Sequence, residues 1–568
     1  MKSSWGKCDP LTSVLSSASS PAIQQPPKQE RPTPEISCSN AASLRATKQD
    51  IRGIRQLYIR VQHDMDAHKA TVDKVRSRIE HYYSAKTPFR VYHGSTNSTR
   101  HADFDRDAIV DVSPLNHVLS IDIERKTALV EPNVPMDALV RETMKFGLLP
   151  PVVMEFPGIT VGGGFVGTAG ESSSFKYGFF DRTVLSVEVV LADGTIVTAS
   201  EAENKELFEG LRGSFGTLGV LTMVEMQLVP LKQFVEVTYH PTFSIDNSIG
   251  KLQYQITRQE NDYVDGILFS KGFGVVVAGR LVDTTASLPD IPIRRFSKPW
   301  NEWFYIHAKS LASKGIITKE LVPIEDYLFR FDRGAFWMGM HAYKQFMIPF
   351  MWLTRVLLDY FMHTRVMFHS LHKSGYTDRY IIHDIAFPAG NAAAFVEYAD
   401  QKFEIYPLWL CPLRKDGRSS MGHPEPYKGG VGGGSNTGVY DGEYISVGIW
   451  GPYTSSEAKY VRANREIESK MRELGGLKWL YSRVFYTEEE WWQVYDKRKY
   501  DELRKKFNAA TLPSIWDKVK DRGRKEEFST GLKGLLKKII KSSTLLSGFY
   551  GIYKAVRGGD YMLKEKSR

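Results

Sequence analysis

Pro157–Ser200 reads PGITVGGGFVGTAGESSSFKYGFFDRTVLSVEVVLADGTIVTAS, and the reading of this stretch decides the fold. It holds a glycine cluster, a run of small and hydroxyl residues, and a candidate β-hairpin. Val184–Ala192 is β-branched and apolar, Asp193-Gly194 is a two-residue turn signal, and Thr195–Thr198 is a returning strand. Glycines let a backbone approach a ligand closely, and consecutive N–H groups then suit a phosphate. Gly162, Gly164 and Gly167 also satisfy G-x-G-x-x-G, with Glu188 about twenty residues on, the pattern of a doubly wound dinucleotide site. That site requires a strand before the glycines and a helix after them. TAGESSSFKYG has no 3.6-residue apolar period, and Glu188 sits inside a strand, so that assignment fails.

Working outward, five features follow in order between Val91 and Val220. They are a βα entry with a glycine turn (HGSTNSTR), the T-V-G-G loop, the G-T-A-G turn, the hairpin, and G-T-L-G-V at 216–220. This order resembles the vanillyl-alcohol-oxidase-type, or p-cresol-methylhydroxylase-type, FAD fold. ESSSFKYG (171–178), RQENDYVDGILFS (258–270), KPW (298–300), EIYPLWLCP (404–412) and EEWWQVYD (489–496) are similar, more narrowly, to the Δ24-sterol reductase family. The similarity runs from about residue 70 to about residue 520, well beyond the flavin half.

The resemblance implies an α+β fold with a two-lobed FAD-binding domain over 44–232 and an α+β cap over 233–480. A segment over 481–520 would return to close the flavin site, with a leader at 1–43 and a tail at 521–568. The turn Gly94, Ser95, Thr96, Asn97, Ser98 is expected to receive the FAD pyrophosphate. Further contacts are expected from Thr160, Val161, Gly162, Gly163 and Gly164, from Gly167, Thr168, Ala169 and Gly170, from Glu171 and Ser172, and from Gly219 and Val220 against the isoalloxazine. Some members of the superfamily bond a histidine of this turn to the flavin. Here His93 precedes the glycine and Asn97 and Ser98 follow it, so the FAD is expected to be non-covalent. The implied reaction is reduction of an isolated side-chain alkene of a sterol or triterpenoid, with NADPH as hydride source. No carbonyl polarises such an alkene, so a proton donor must act while hydride arrives. The catalytic candidates are Glu171, read chiefly as a loop-ordering or flavin-contacting residue, and Tyr406 or His383 for proton delivery. The rival readings are an oxidase of the same fold acting on a sugar alcohol or aldonolactone, and a lipid-binding protein that keeps FAD as structure. The aromatic, apolar second half disfavours a sugar.

Composition sets outer bounds. The 568 residues are 42% hydrophobic and 25% charged, enough for two or three domains with full cores. The three cysteines, Cys8, Cys38 and Cys411, have neither disulfide-framework nor metal spacing, so no metal is expected and a reducing compartment is inferred. The net charge is +10, of which residues 531–568 carry +7. A basic patch confined to one tail excludes a nucleic-acid-binding body.

Residues 1–43 are rich in Ser, Pro and Gln and read as disordered, without the apolar run of a signal peptide or a membrane span. Val72, Val75 and Ile79 mark one apolar face of a helix over about 44–84. Ile109–Asp111 and Leu129–Pro132 read as strands around a turn near 122–126, and Met136–Phe146 as a helix stopped by Gly147. FWMGMHAYKQFMIPFMWLTRVLLDYFMHTRVMF (336–368) is aromatic and Met-rich. It is read as ordinary core or as an apolar wall or entrance for a large lipid. His383 and Asp384 are neighbours on a strand, so at most one of them faces a pocket. The Gly-rich segment 416–442 reads as a flexible loop, a spacer in preference to a lid. Glu488-Glu489-Glu490 reads as a helix N-terminus meeting the macrodipole rather than as catalytic acid. Leu532, Leu535, Leu536, Ile539 and Ile540 oppose Lys533, Lys537, Lys538 and Lys541 on an amphipathic helix. A membrane surface is the expected partner of 531–556, each lysine adding about 1 kcal/mol near anionic lipid. The expected location is the endoplasmic reticulum membrane, facing the cytosol.

Overall fold

The structure is a computed structural model that describes residues 40–94, 96–100, 104–283, 290–374, 376–418, 420–422, 443–521, 544–558 and 562–563. The first helix, Asn40–Ser84 (α1), buries Val72, Val75 and Ile79, the stripe read from the sequence. Arg90–Tyr92 (β1) and Ile109–Asp111 (β2) pair in parallel. The turn at 122–126 instead joins Val118–Asp122 (β3) to Thr127–Val130 (β4) as an antiparallel hairpin. Met136–Met144 (α2) ends three residues before Gly147, whose φ of 70° needs no Cβ to be relaxed. A two-residue strand, Leu148–Leu149 (β5), follows.

The quoted stretch folds as two short helices and a hairpin. Val161–Val166 (α3) contains the glycine cluster itself, so the expected loop is a helical turn. Thr160 starts it, its hydroxyl accepting from Gly163 N–H at 3.2 Å. The helix sits too close to its neighbours for side chains. A Cβ on Gly162 would lie 2.7 Å from Pro132, and one on Gly164 2.5 Å from Met154. Tertiary packing therefore holds as a helix a sequence with poor helix propensity. Ser174–Tyr177 (α4) is the second helix. Val184–Val190 (β6) and Ile196–Ser200 (β7) form the hairpin. Leu191 N–H donates to Thr195 O, which leaves a three-residue loop with Gly194 at φ 90° instead of a two-residue turn. Lys205–Leu211 (α5) and Val220–Gln227 (β8) complete a five-stranded sheet in the order β3-β4-β8-β6-β7. Val229–Pro230 (β9) pairs with β5.

A second, eight-stranded antiparallel sheet takes in the following half of the chain. Its strands are Phe234–Thr242 (β10), Tyr263–Ser270 (β11), Phe273–Val282 (β12), Thr318–Pro323 (β13), Tyr380–Pro388 (β14), Leu408–Arg414 (β15), Glu443–Pro452 (β16) and Leu477–Lys478 (β17). The order is β13-β10-β12-β11-β15-β16-β14-β17. Ile245–Ile256 (α6), Phe304–Ala312 (α7) and Ile324–Leu328 (α8) lie between its early strands in the chain. The aromatic stretch becomes three helices, Met338–Gln345 (α9), Trp352–Leu357 (α10) and Thr364–Ser374 (α11). Ala392–Phe403 (α12) and Glu457–Glu473 (α13) follow. Glu488–Val494 (α14) opens on a capping box between Thr487 and Glu490, so the triple glutamate starts a helix as read. Lys497–Lys506 (α15), Ile515–Val519 (α16) and Thr544–Arg557 (α17) are the last described helices. The leader 1–39, most of the Gly-rich segment and the Leu532–Lys541 amphipathic stretch lie outside the described residues. No described helix is long and apolar enough to cross a membrane.

Candidate active site

The strand pleat puts alternate residues on one face, and on β15 and β16 these are Trp409, Cys411 and Leu413, and Ser446 and Trp450. Together with α3 and the segment after β1 they line a cavity with about 1680 Å³ of empty space, its solvent-facing mouth included. Gly448 sits in register with both Asp384 and Trp409. A Cβ there would lie 2.7 Å from Asp384 Oδ1, so the glycine leaves room for that carboxyl at the cavity wall.

One cluster in the lining is cationic and polar. His93, Thr96, Asn97, Ser98 and Arg100 come from the turn after β1, and Lys518 comes from α16. Arg100 donates to Ser98 Oγ at 3.0 Å and to Lys518 O at 3.2 Å, and lies over the Phe215 ring. Burial, with Arg90 and Arg100 nearby, brings the Lys518 ammonium down to about 7. Burial, aided by Lys518, lowers His93 to about 4. The second cluster is aromatic. Phe336 lies 5.3 Å from Trp450 and 5.2 Å from Trp409, and Phe156 lies within 6 Å of Phe336, Phe368 and Trp450. Asp384 stands among these rings. It accepts from Tyr481 OH at 2.9 Å and from Trp450 Nε1 at 3.1 Å. Burial raises it to about 6 against those two hydrogen bonds. Glu155 also lines the cavity, and burial reinforced by Glu171 holds its carboxyl well above the ordinary range.

A large anionic, aromatic cofactor fits this donor set. His93 Nδ1 and Asn97 Nδ2 are buried on the cavity without a hydrogen-bond partner, beside the Lys518 and Arg100 cations. Such groups suit phosphate oxygens. Gly162, Gly163, Gly219 and Val220 add little side chain to the lining, which leaves room for a ring system.

Of the residues expected to hold the cofactor, Thr96, Asn97 and Ser98, Thr160, Gly162 and Gly163, Gly167, Ala169 and Gly170, and Gly219 and Val220 line the cavity. Gly94, Val161, Gly164, Thr168, Glu171 and Ser172 do not line it, and Ser95 lies outside the described residues. Val161 and Gly164 point into packing because the glycine segment is a helix. Glu171 is tied within its own turn, accepting from Ser172 Oγ at 2.7 Å and from Ser173 Oγ. These bonds, with its own N–H donating to Ser174 Oγ at 3.0 Å, hold the Glu171–Ser174 turn. Tyr406 donates to Asp400 at 2.9 Å, away from the cavity. His383 faces the opposite side of β14 from Asp384, bonded to Asn464 Oδ1 at 2.6 Å and to Ser482 Oγ at 3.2 Å. Burial drives its imidazole well below its ordinary value. Neither of the two proton-delivery candidates reaches the cavity.

Sequence reading missed Tyr481, Glu155, Arg100 and Lys518. Tyr481 and Lys518 fall in the return segment expected over 481–520, which was a usable signal, whereas α15 of the same segment does not line the cavity. That helix instead packs on the turn before β8, through Tyr500 OH to Thr217 Oγ1 at 2.7 Å and Arg504 to Thr217 O at 2.8 Å.

The FAD binding domain family matches residues 67–200. A Δ24-sterol reductase from Pisum sativum is 31% identical over 450 residues, 74% of this chain and 77% of its own length. The Homo sapiens Δ24-sterol reductase is 27% identical over 413 residues, 71% of this chain and 76% of its own. An L-gulonolactone oxidase from Mus musculus is 28% identical, but over only 26% of this chain and 34% of its own. The fold, the cavity and these matches define an FAD-dependent oxidoreductase of the p-cresol-methylhydroxylase type. The chain belongs to the Δ24-sterol reductase family.

Proposed function

We propose that the protein reduces an isolated carbon–carbon double bond in the side chain of a sterol or related triterpenoid, with NADPH as electron donor. One observation carries this reading: the cavity joins a cationic cluster to a wall of aromatic rings that holds the hydrogen-bonded pair Asp384 and Tyr481. A sugar alcohol would need several hydroxyl partners that this wall lacks. FAD, held by the cluster of His93, Asn97, Arg100 and Lys518, would supply the hydride carrier between NADPH and the alkene. Residues 44–232 are assigned to the flavin, 233–480 to the sterol and 481–520 to closing the site. His93 stands with Lys518 and Arg100, the cluster suited to phosphate, which supports non-covalent flavin. NADPH and sterol are taken to reach the same flavin face in turn.

The chain's own contribution is the proton. With Asp384 protonated, its hydroxyl donates to Tyr481, and the Tyr481 hydrogen is free to turn toward the cavity. The alkene takes that proton on one carbon as hydride reaches the other. Asp384 and Tyr481 fill this role in preference to His383 and Tyr406. The rings of Phe336, Trp409 and Trp450 exclude water from the developing positive charge. Leu546, Phe549, Tyr553 and Val556 form an exposed apolar face on α17, and Met351, Trp352 and Leu353 are exposed at the start of α10. These surfaces support contact with a lipid bilayer, in line with the basic stretch before α17, and a place on the cytosolic face of the endoplasmic reticulum.

The test is anaerobic. NADPH should bleach the flavin, and desmosterol or lanosterol should then restore its oxidised spectrum. Restoration by oxygen alone would overturn the proposal.

A further inference from the structure

A second chamber lies directly behind the aromatic wall. It spans about 930 Å³ of empty space, its solvent-facing part included, and its lining is almost wholly apolar. Helical spacing builds it. Met338, Ala342 and Gln345 line one side from α9, Met367, Phe368 and Leu371 another from α11, and Gly548 and Ile552 a third from α17. α17 lies close against α11, where a Cβ on Gly551 would sit 2.7 Å from Ser370 O.

Phe368 and Trp450 line this chamber and the flavin-type cavity alike, so they form the partition between the two. The backbone at the partition is forced. Ala335 and Phe336 are consecutive and left-handed, at φ 45° and 61°. Ala335 lines the outer chamber and Phe336 the inner cavity. Non-glycine residues are held in that region only where surrounding packing imposes it, commonly at ligand clamps. The chamber is also next to the exposed apolar face. The Phe346 ring on its lining lies 5.0 Å from that of Phe549, which is itself exposed.

A Δ24-unsaturated sterol has a rigid apolar ring nucleus and a flexible tail that carries the alkene. Resting on the reductase reading above, we propose that the outer chamber holds the ring nucleus, while the side chain passes between Phe368 and Trp450 to the inner cavity. The partition then measures the distance from ring to alkene. The chamber is apolar and adaptable where rings must be accommodated, and the inner cavity keeps its polar groups for the reaction.

Filling the chamber tests this. Ala342→Trp enters from α9, and Leu371→Trp enters from α11. Each is purified with its flavin, and loading and reduction by NADPH report that the inner cavity is intact. Reoxidation is then followed with desmosterol and with 2-methyl-2-pentene, a side-chain fragment without rings. The expected result is at least a tenfold higher half-saturating desmosterol concentration in both variants, with the ring-free alkene reacting equally in variant and parent. Unchanged desmosterol saturation in flavin-loaded variants would overturn the ring site while leaving the reductase intact. A parent protein that desmosterol does not reoxidise overturns the reductase reading and this proposal with it. Loss of reaction with both alkenes in a loaded variant places the damage in the inner cavity and also counts against the ring site.

Discussion

Asp384 shows how one side chain acquires a role from its surroundings. Its neighbour His383 has the more suggestive chemistry in isolation, but the strand turns it away to Asn464. Asp384 faces rings, and Tyr481 is bonded to it, while Cys411 and Glu155 are the other titratable groups along that wall. Burial raises the Asp384 carboxyl to about 6. The protonated form, which the proposed reaction uses, therefore dominates below that pH and is lost above it. Reoxidation of NADPH-reduced enzyme by desmosterol should be fastest below about pH 6 and fall as pH rises, in stopped-flow traces. Asp384→Asn should slow this step by about 10²-fold or more and flatten the profile, with flavin reduction by NADPH retained. Tyr481→Phe should slow it with the profile kept. At the cationic cluster, Lys518→Met should weaken flavin retention by roughly 10- to 100-fold, the weight of one charge-assisted hydrogen bond. Equilibrium dialysis of the flavin measures it, and unchanged retention would remove Lys518 from the cofactor site.

At the scale of elements, His68 ties α1 to the five-stranded sheet. Its Nδ1 lies 2.8 Å from Glu131 just beyond β4, and its Nε2 lies 3.3 Å from Glu188 on β6. Burial opposes its charge, but hydrogen bonds to the two carboxylates outweigh that and raise His68 to about 9. Glu131, held by His68 and His117, is lowered in turn. The raised histidine adds stability in full below its ordinary 6.5 and loses it as pH climbs through about 9. The lowered glutamate adds stability above its ordinary 4.5 and loses it as pH falls. The tie is therefore strongest between those two ordinary values. His68→Ala leaves the buried Glu131 bonded only to the more exposed His117, and a loss of about 3 kcal/mol is expected near pH 6. The loss should shrink toward pH 9.5 in denaturant titrations. A loss independent of pH would mean that His68 acts by packing alone. Glu188, the acid whose place inside a strand ruled out a dinucleotide site, is the β6 end of this tie, and Thr222 also donates to it, at 2.6 Å.

At the scale of the whole molecule, the exposed apolar face of α17 is the lipid-contacting surface of the proposed function, and the sequence before it is basic. Tyr553→Glu with Val556→Glu puts two charges on that face. Flotation with phosphatidylcholine–phosphatidylserine vesicles should fall several-fold while flavin content is kept. Raising salt should weaken the parent's binding further, because lysines near anionic lipid are screened within a Debye length. Equal flotation of parent and variant would remove α17 from the surface.

The sequence by itself determined the local elements and the family. The β-branched runs became strands, the stripe at Val72, Val75 and Ile79 became a buried helix face, and Thr487 with three glutamates became a capped helix, because period and capping chemistry act between near neighbours. The ordered glycine motifs carried the flavin fold. Tertiary structure alone decided the rest. The glycine loop is a helix because Pro132, Met154 and Phe180 close on it. Tyr481 meets Asp384 across 97 positions of sequence, and Lys518 reaches a turn formed more than 400 positions earlier. Contacts between distant strands leave no period or spacing to read. Which of two adjacent strand residues faces a cavity depends on what is packed on each side of the sheet.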